Sequence, residues 1–470
     1  MLRHMGSLSR LLAVPLLMPL LAANLPPEPE RQLAREIYKE MVESQSGFTT
    51  GATTPIAESV AARLKAAGFS ASDIFVGGVI PRKANVVVRY RGSGARKPIL
   101  LLAHIDVVEA KREDWTTDPF QFLEKDGYFY WRGTADDKAQ ASVWIANLIR
   151  FKREGFQPDR DIIVALTADE EGGGPYNGAR WLAQNHHELI DAEFALNEGG
   201  RGEVVAGKKM SNDIQVSEKG YTNFRFEVRN AGGHSSRPVP DNAIYHLAGA
   251  LQRLSQFNFP LKSSEVTRAY FGEMSKLVAG SSLASYAGDL ARLGSGSPDE
   301  RAPVAAISAE WNAALRTTCV ATMLEGGHAV NALPQLAAAN VNCRVLPEDS
   351  IDSVLETLKK IAADEQVHVS LVGDGIKGSA SPLRPDIMKA VSRITDTMWS
   401  GVRTVPVMSV GGTDGAYLRA AGIPTYGVQG FFRDASDNQR VHGRDERMLV
   451  QAYYEGQAFL YELVKALATP

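Results

Sequence analysis

The chain of 470 residues contains only two cysteines, Cys319 and Cys343, and neither has the Cys-x-x-Cys spacing of a structural zinc module. It has no basic run, and a formal net charge of -3 argues against a nucleic-acid-binding surface. Outside the N-terminus no apolar stretch reaches the roughly 18 residues that a spanning helix needs, so no membrane anchor is expected. There is no Gly-x-Ser-x-Gly elbow and no His-Glu-x-x-His helix, which leaves serine-hydrolase and single-zinc protease chemistry without support. Residues 202–209 approach a phosphate-binding loop but lack the closing Ser or Thr that holds magnesium. Internal repeats and low-complexity tracts are also missing.

What remains has the composition of a globular protein, 44% hydrophobic and 22% charged, with length enough for two or three domains. At the N-terminus Arg3, His4 and Arg10 precede an apolar run over 11–23 broken by Pro15 and Pro19. The run is too short to span a bilayer and fits a signal peptide, residues 1–23, that exports the protein to a periplasm or secretes it. If the leader is not a signal, or if Met5 starts the chain, the protein stays cytoplasmic. Both cysteines fall in runs that read as strands, 317–324 and 336–345. Pairing of those strands would let the thiols form a disulfide in an oxidising compartment, and two buried free thiols are the equal alternative.

The pattern along the chain predicts an α/β layer from about residue 24. Helices over 30–42 and 55–67 lead to a strand at 85–90 and to the unbroken apolar run 99–103, typical of a parallel strand buried on both faces. A helix over 138–152, a strand at 162–166, a helix near 176–186 and a short strand at 194–196 follow. After residue 212 the order becomes β-α-β-β-α-β, the ferredoxin-like signature. It is interrupted by a Ser-, Gly- and Ala-rich helical insertion at 262–303. The α/β pattern resumes at 375. The expected architecture is a mostly parallel α/β domain made from 24–212 and 375–470, with a smaller α+β ferredoxin-like domain, 213–374, inserted between them.

Five patches carry chemistry: His104-Ile105-Asp106, Asp136-Asp137, Glu170-Glu171, Glu198-Gly199-Gly200 and His442. Three of them directly follow predicted strands, and ligands of open α/β sheets bind outside the carboxyl ends of strands. Each patch alone has an ordinary explanation: Asp137 as a helix N-cap, Glu170-Glu171 as a solvated loop, Glu198 beside two glycines as a turn. Together they supply imidazoles and carboxylates for two divalent metals. In an extended chain, adjacent glutamates point to opposite sides, so one can bind metal while the other faces a metal-activated water. Hard oxygens and imidazoles without thiolates suit Zn²⁺, with Mn²⁺ or Co²⁺ possible.

On these residues the chain resembles the co-catalytic zinc peptidases that include aminoacylase, carboxypeptidase G, carboxypeptidase S, carnosinase-type dipeptidases and succinyl-diaminopimelate desuccinylase. The resemblance runs from about residue 30 to the end. It implies that His104, Asp136 and Glu198 hold one zinc and that Asp136, Glu171 and His442 hold the other, with Asp136 shared. Glu170 would be the general base and acid, and Asp106 would support His104. It implies further that His234, in Gly232-Gly233-His234-Ser235, polarises the scissile carbonyl, often in the partner subunit of a homodimer built through the inserted domain. Asn331 and Arg344 would bind the substrate carboxylate, and Gly411 and Gly412 would line the substrate site. The expected reaction is hydrolysis of an amide bond by a metal-bridging hydroxide, in a dipeptide, a peptide C-terminus or an N-acyl amino acid. A non-peptide amide or carbamoyl substrate is the alternative, and a non-catalytic metal-binding module is disfavoured by the complete set of ligands and base. Two departures stand out: Gly443-Arg444-Asp445-Glu446 follows His442 where relatives have Asn-Glu, and 262–303 has no counterpart.

Overall fold

The computed structural model describes residues 25–293 and 304–469. The expected leader and the end of the insertion, 294–303, lie outside the described residues. An eleven-stranded sheet forms the larger body. Its centre is a parallel trio in which Ile99–His104 lies between Ile162–Thr167 and Phe194–Asn197. All residues of the first two strands are buried, because helices cover both faces. Leu101, Ala103, Val164 and Leu166 point into one core, and Leu100, Leu102, Ile163 and Ala165 point into the other. The apolar runs are continuous for that reason: side chains alternate between two dry faces. Away from the trio the sheet is mixed. Ala84–Tyr90 runs antiparallel to Ile162–Thr167, and Lys208–Glu218 pairs parallel with Arg403–Ser409.

The helix Lys138–Glu154 lies on the first face and is buried along almost its whole length. Trp144 Nε1 donates to Leu102 O at 3.1 Å, which fixes the helix against the strand that delivers His104. Gly155, left-handed at φ 65°, ends the helix, as its lack of a Cβ allows. The last helix, Val450–Leu467, packs beside it, with Tyr453 Oη donating to Ala34 O at 3.1 Å and lying 2.8 Å from Ser142 Oγ.

The smaller body is a four-stranded antiparallel sheet ordered Thr318–Gly326, Leu336–Val345, Gly220–Arg229, His368–Ile376. Helices Ala243–Gln256 and Ile351–Ala362 cover one face through Leu247, Ala250, Val354 and Leu358. Cys319 and Cys343 are directly opposite in this sheet and form a disulfide, which settles the alternative left open by the sequence. The insertion folds into helices Glu265–Leu277 and Ser282–Leu290. With Ala309–Leu315 they share a core of Phe271, Ala287, Leu290, Trp311 and Leu315.

The chain leaves the large sheet later than residue 212. Lys208–Glu218 stays in it to its end, because Ile214 and Val216 are buried in the main core. The return comes after Ile376, where Ser379–Ala380 pairs back with Ser217 and Glu218. The two connections lie against each other: a Cβ on Gly220 would meet Ile376 O at 2.4 Å, so only glycine allows the approach. Residues 202–209, set aside as a phosphate loop, form the turn of the hairpin Gly202–Val205 and Lys208–Glu218.

Candidate metal centre

His104 ends its strand and is 2% exposed. Its Nε2 lies 2.9 Å from Asp136 Oδ1 and 3.9 Å from Glu198 Oε1. The other oxygen of Asp136 is 3.1 Å from His442 Nε2, and that nitrogen is 2.9 Å from Glu171 Oε1. Asp136 thus lies between the two imidazoles, one carboxylate oxygen toward each. Donor atoms of His104, Asp136 and Glu171 lie within 4.8 Å of one another, as do those of His104, Glu170 and Glu198. All five patches therefore converge on one cluster at the carboxyl end of the parallel trio. Glu170 and Glu171 are divided between the two groups, but from a turn closed by the Gly173 N–H to Glu170 O at 3.0 Å and not from the extended segment expected.

Asp106 does more than support His104. His104 Nδ1 lies 3.1 Å from the Asp106 carbonyl oxygen and 3.6 Å from the carboxylate. The carboxylate itself accepts the backbone N–H groups of Glu170 at 3.0 Å and Glu171 at 3.1 Å. It thereby sets both Glu170 and Glu171 in place from one buried group. Just before them Asp169 has a positive φ of 62° and forms a buried ion pair with Lys83 at 2.6 Å. Asp137 occupies the N-cap position of Lys138–Glu154 without capping it; its buried carboxylate accepts from Gln429 Nε2 at 3.0 Å.

A second scaffold joins the Asp136 and His442 loops. Glu446 accepts the backbone N–H of Gly133 at 3.2 Å and of Ala135 at 2.8 Å, and pairs with Arg132 at 2.8 Å. Arg132 also donates to the carbonyls of His442 at 3.1 Å and Gly443 at 2.8 Å. The sequence departure after His442 is thus an acidic anchor, and neither Arg132 nor Glu446 was picked out as functional from sequence. The signal was there in Glu446, a carboxylate four residues beyond a ligand histidine. On the other side Glu218, buried and paired with Arg419 at 2.6 Å, accepts the Thr413 N–H at 2.9 Å and so fixes the loop of Gly411 and Gly412. Asp414 accepts from Thr167 Oγ1 at 2.7 Å and Asn177 Nδ2 at 2.6 Å.

The electrostatics match a cation site. Burial, followed by the nearby Glu198 carboxylate, pushes Glu170 well above the ordinary carboxylate range. Burial and Asp136 do the same to Glu198. Asp136 is held below the usual range, because its hydrogen bonds to His104 and His442 outweigh burial. Those with Asp136 and then Glu171 raise His442 to about 10. Among the described residues no Lys or Arg forms an ion pair with Asp136, Glu170, Glu171 or Glu198. Packed carboxylates balanced only by imidazoles accommodate divalent cations in place of protons. The donor set of His104, Asp136, Glu198, Glu171 and His442, with no thiolate, fits two zinc ions.

The remaining expected residues lie on the smaller body. His234 is exposed in a two-residue strand paired with Ala332–Leu333. Its Nδ1 accepts from the Ser236 backbone N–H at 3.2 Å and meets Ser236 Oγ at 2.7 Å. Asn331 is exposed, its carbonyl accepting the Ser235 N–H at 3.1 Å. Arg344 lies on the central sheet with its guanidinium 4.7 Å from the Tyr221 ring centroid. Among the described residues none of the three shares a hydrogen bond or ion pair with the cluster of this same chain.

A two-body scaffold, with imidazoles and carboxylates gathered at strand ends, is the arrangement of a metal-dependent amide hydrolase. Residues 100–466 match peptidase family M20/M25/M40, and the chain belongs to that family. It is 31% identical over 379 residues to the N-fatty-acyl-amino acid synthase/hydrolase of Homo sapiens, a match covering 78% of this chain and 74% of that one. With aminoacylase-1 of Sus scrofa the identity is 26% over 402 residues, 83% of this chain and 85% of the other. Its fold is similar to that of an M20 family metallo-carboxypeptidase from Sulfolobus solfataricus, with TM-score 0.71, 17% identity and coverage of 92% and 98%.

Proposed function

We propose that the protein hydrolyses the amide bond of N-acyl amino acids or small peptides with a free carboxylate. The observation that carries this reading is the position of Glu170. It is half-buried in the cluster beside Glu198, its backbone is pinned by Asp106, and no cation pairs with it among the described residues. The printed activities of the relatives, an N-fatty-acyl-amino acid synthase/hydrolase and an aminoacylase, lend support.

When bound, the zinc ions acidify water and polarise the amide carbonyl. Glu170 removes the proton of the attacking water and returns it to the leaving nitrogen. Asp106 keeps Glu170 and Glu171 from exchanging places by holding both backbone amides. Arg132 and Glu446 hold Asp136 and His442 at the spacing the metals require.

Homodimerisation through the smaller body completes the reading. Thr318–Gly326 is an edge strand with Val320 59%, Met323 70% and Leu324 73% exposed, apolar side chains that a partner would cover. With Nδ1 accepting from Ser236, the His234 proton resides on Nε2, which is then the donor available to a carbonyl in the partner's site. Arg344 and Asn331 would hold the substrate carboxylate. The disulfide supports export by the leader, because such bonds persist in oxidising compartments. The test is Glu170→Gln: turnover of N-acyl amino acids and dipeptides should fall by about 10²–10⁴ with two zinc ions still bound. Near-normal turnover at full zinc content would refute the assignment.

A further inference from the structure

The turn that carries Glu170 and Glu171 is held on one side by the Asp106 carboxylate and on the other by Asp169. Asp169 is 3% exposed and precedes Glu170 with a φ of 62°. Asp is one of the few residues with a side chain that visits this left-handed conformation. The conformation folds the Asp169 carboxylate under the turn. A Cβ on Gly172 would meet Asp169 Cγ and Oδ2 at 2.9 Å, so glycine lets the turn close over the charge.

Lys83 meets that charge. It is 1% exposed, and its Nζ donates to Asp169 Oδ1 at 2.6 Å and to the Phe48 carbonyl at 2.5 Å. Its place follows from the sheet. Lys83 stands directly before the strand Ala84–Tyr90, which pairs with Ile162–Thr167 from Tyr90 opposite Ile162 up to Val86 opposite Leu166. Beyond that last pair, Asn85 Oδ1 accepts the Ala168 N–H at 2.9 Å, and Lys83 takes Asp169. Two side chains thus continue the ladder onto the segment that leads to Glu170.

Phe48 brings in a third segment. Its N–H donates to Val107 O at 3.1 Å, and the Val107 N–H donates to Ser46 O at 3.1 Å. Val107 follows Asp106, whose carboxylate accepts the Glu170 N–H at 3.0 Å. A closed ring results, running from Glu170 through Asp169, Lys83, Phe48, Val107 and Asp106 back to Glu170. Lys83 joins its two halves. Without that ammonium the ring opens, and among the described residues the Asp169 carboxylate has no other cation, a costly state for a buried charge.

We propose that Lys83 is a positioning residue for Glu170, acting through Asp169 on one side and through the loop of Phe48 on the other. The proposal rests on the reading of Glu170 as the base and adds a group outside the metal cluster that sets where this base stands. A carboxylate that moves protons must stay within hydrogen-bond reach of its water, and a displacement of about 1 Å costs about 100-fold in rate. Charge-assisted hydrogen bonds such as that of Lys83 are about twice as strong as neutral ones and hold such a segment firmly. Loss of Lys83 falls on kcat and leaves the binding of substrate and zinc largely alone.

The test is a double-mutant cycle in the zinc-loaded full chain. Lys83→Met should lower kcat about 10- to 100-fold, with KM within about twofold and zinc content unchanged. In the Glu170→Gln background the same substitution should cost less than about twofold, because a group that acts through Glu170 has nothing left to place. Equal losses in both backgrounds overturn the proposal, since a general structural defect lowers both alike, and so does full activity of Lys83→Met. A second readout needs no turnover. In the chelated protein the amide hydrogens of Glu170 and Phe48 should exchange at least about tenfold faster in Lys83→Met, with that of Leu148 unchanged. Unaltered exchange at Glu170 in folded protein overturns the proposal. Should Lys83→Met fail to fold, Lys83→Met with Asp169→Asn takes its place; it buries no unpaired charge, still lacks the link to Phe48, and should show the same losses. If Glu170→Gln alone keeps near-normal turnover, the reading of Glu170 as base fails, and exchange still decides the role of Lys83. Faster exchange then supports Lys83 as the anchor of the turn, and unchanged exchange removes it.

Discussion

Arg132 and Glu446 form a buried ion pair at 2.8 Å across 314 positions of sequence, and between them they touch the backbones of both loops that carry Asp136 and His442. A pair so placed acts on the metals through geometry. Replacing Glu446 by Gln keeps the shape but leaves the buried guanidinium without its counter-charge. The expected result is zinc affinity lower by about 10- to 100-fold, as for other supports of metal ligands. Competition with a chromogenic chelator measures it, and wild-type affinity in a folded variant would dismiss the role. Glu446→Ala should also destabilise the fold by about 3–5 kcal/mol, read by denaturant unfolding.

Asp106 makes a separable prediction. Its two oxygens each accept one backbone N–H, from Glu170 and Glu171. Asp106→Asn keeps one acceptor and turns the other position into a donor facing a donor. Both the base and a ligand should drift, so kcat and zinc affinity fall together. Glu170→Gln should lower kcat alone. Comparing the two variants by zinc content and single-turnover rate distinguishes a base from the group that positions it; identical behaviour would contradict the assignment.

Protons and metal compete for the same atoms. In the metal-free protein His442 stays protonated up to about 10, and burial holds Glu170 and Glu198 toward their acid forms. Metal binding needs the imidazole neutral and the carboxylates ionised. Zinc uptake near neutral pH should therefore release protons, seen as buffer-dependent binding heats, and apparent affinity should rise with pH. Stability of the chelated protein should move the opposite way. A histidine raised from 6.5 to about 10 contributes fully below 6.5 and loses that contribution as pH climbs through about 10. The raised carboxyl groups act with the same sign, because the folded state binds more protons than the unfolded one. Melting of the chelated protein across that range, flat or rising with pH, would refute this account.

The disulfide joins Cys319 and Cys343, 24 positions apart, on neighbouring strands of the smaller sheet. Closing a loop of that size contributes about 3 kcal/mol. Cys343→Ser, or reduction of the native protein, should lower the unfolding free energy of the smaller body by about that amount, read from denaturant unfolding. The zinc cluster in the large body should keep its affinity. A thiol titration finding free cysteines in the native protein would remove the bond from the account.

The parts of the site legible in sequence were those that follow simple strands. Residues 99–103, 162–166 and 194–196 are apolar because both faces of the sheet are covered, so their ends were visible and His104, Glu170, Glu171 and Glu198 with them. Asp136 and His442 sit in loops with no periodicity, so they stood out only as members of the set of five patches, and resemblance supplied their roles as ligands. Lys208–Glu218 escaped notice because its first half is mostly polar, with Ser211 and Asn212 buried all the same, and only Ile214 and Val216 mark it as a core strand. Arg132, Lys83 and Asp169 were illegible for a physical reason. A buried ion pair is defined by its partner, and sequence shows each half as an ordinary charged residue. The cysteine bond depended on strand register, which composition leaves undetermined.

Asp136 meets His442 across 306 positions, with the whole smaller body lying between them in the chain. A ribosome must therefore deliver almost the entire polypeptide before the second imidazole can reach the first loop. Until then the acidic patches have one histidine among them, and the last helix, Val450–Leu467, has yet to close over Lys138–Glu154. Nascent chains of this protein are without their complete cluster until His442 has been made.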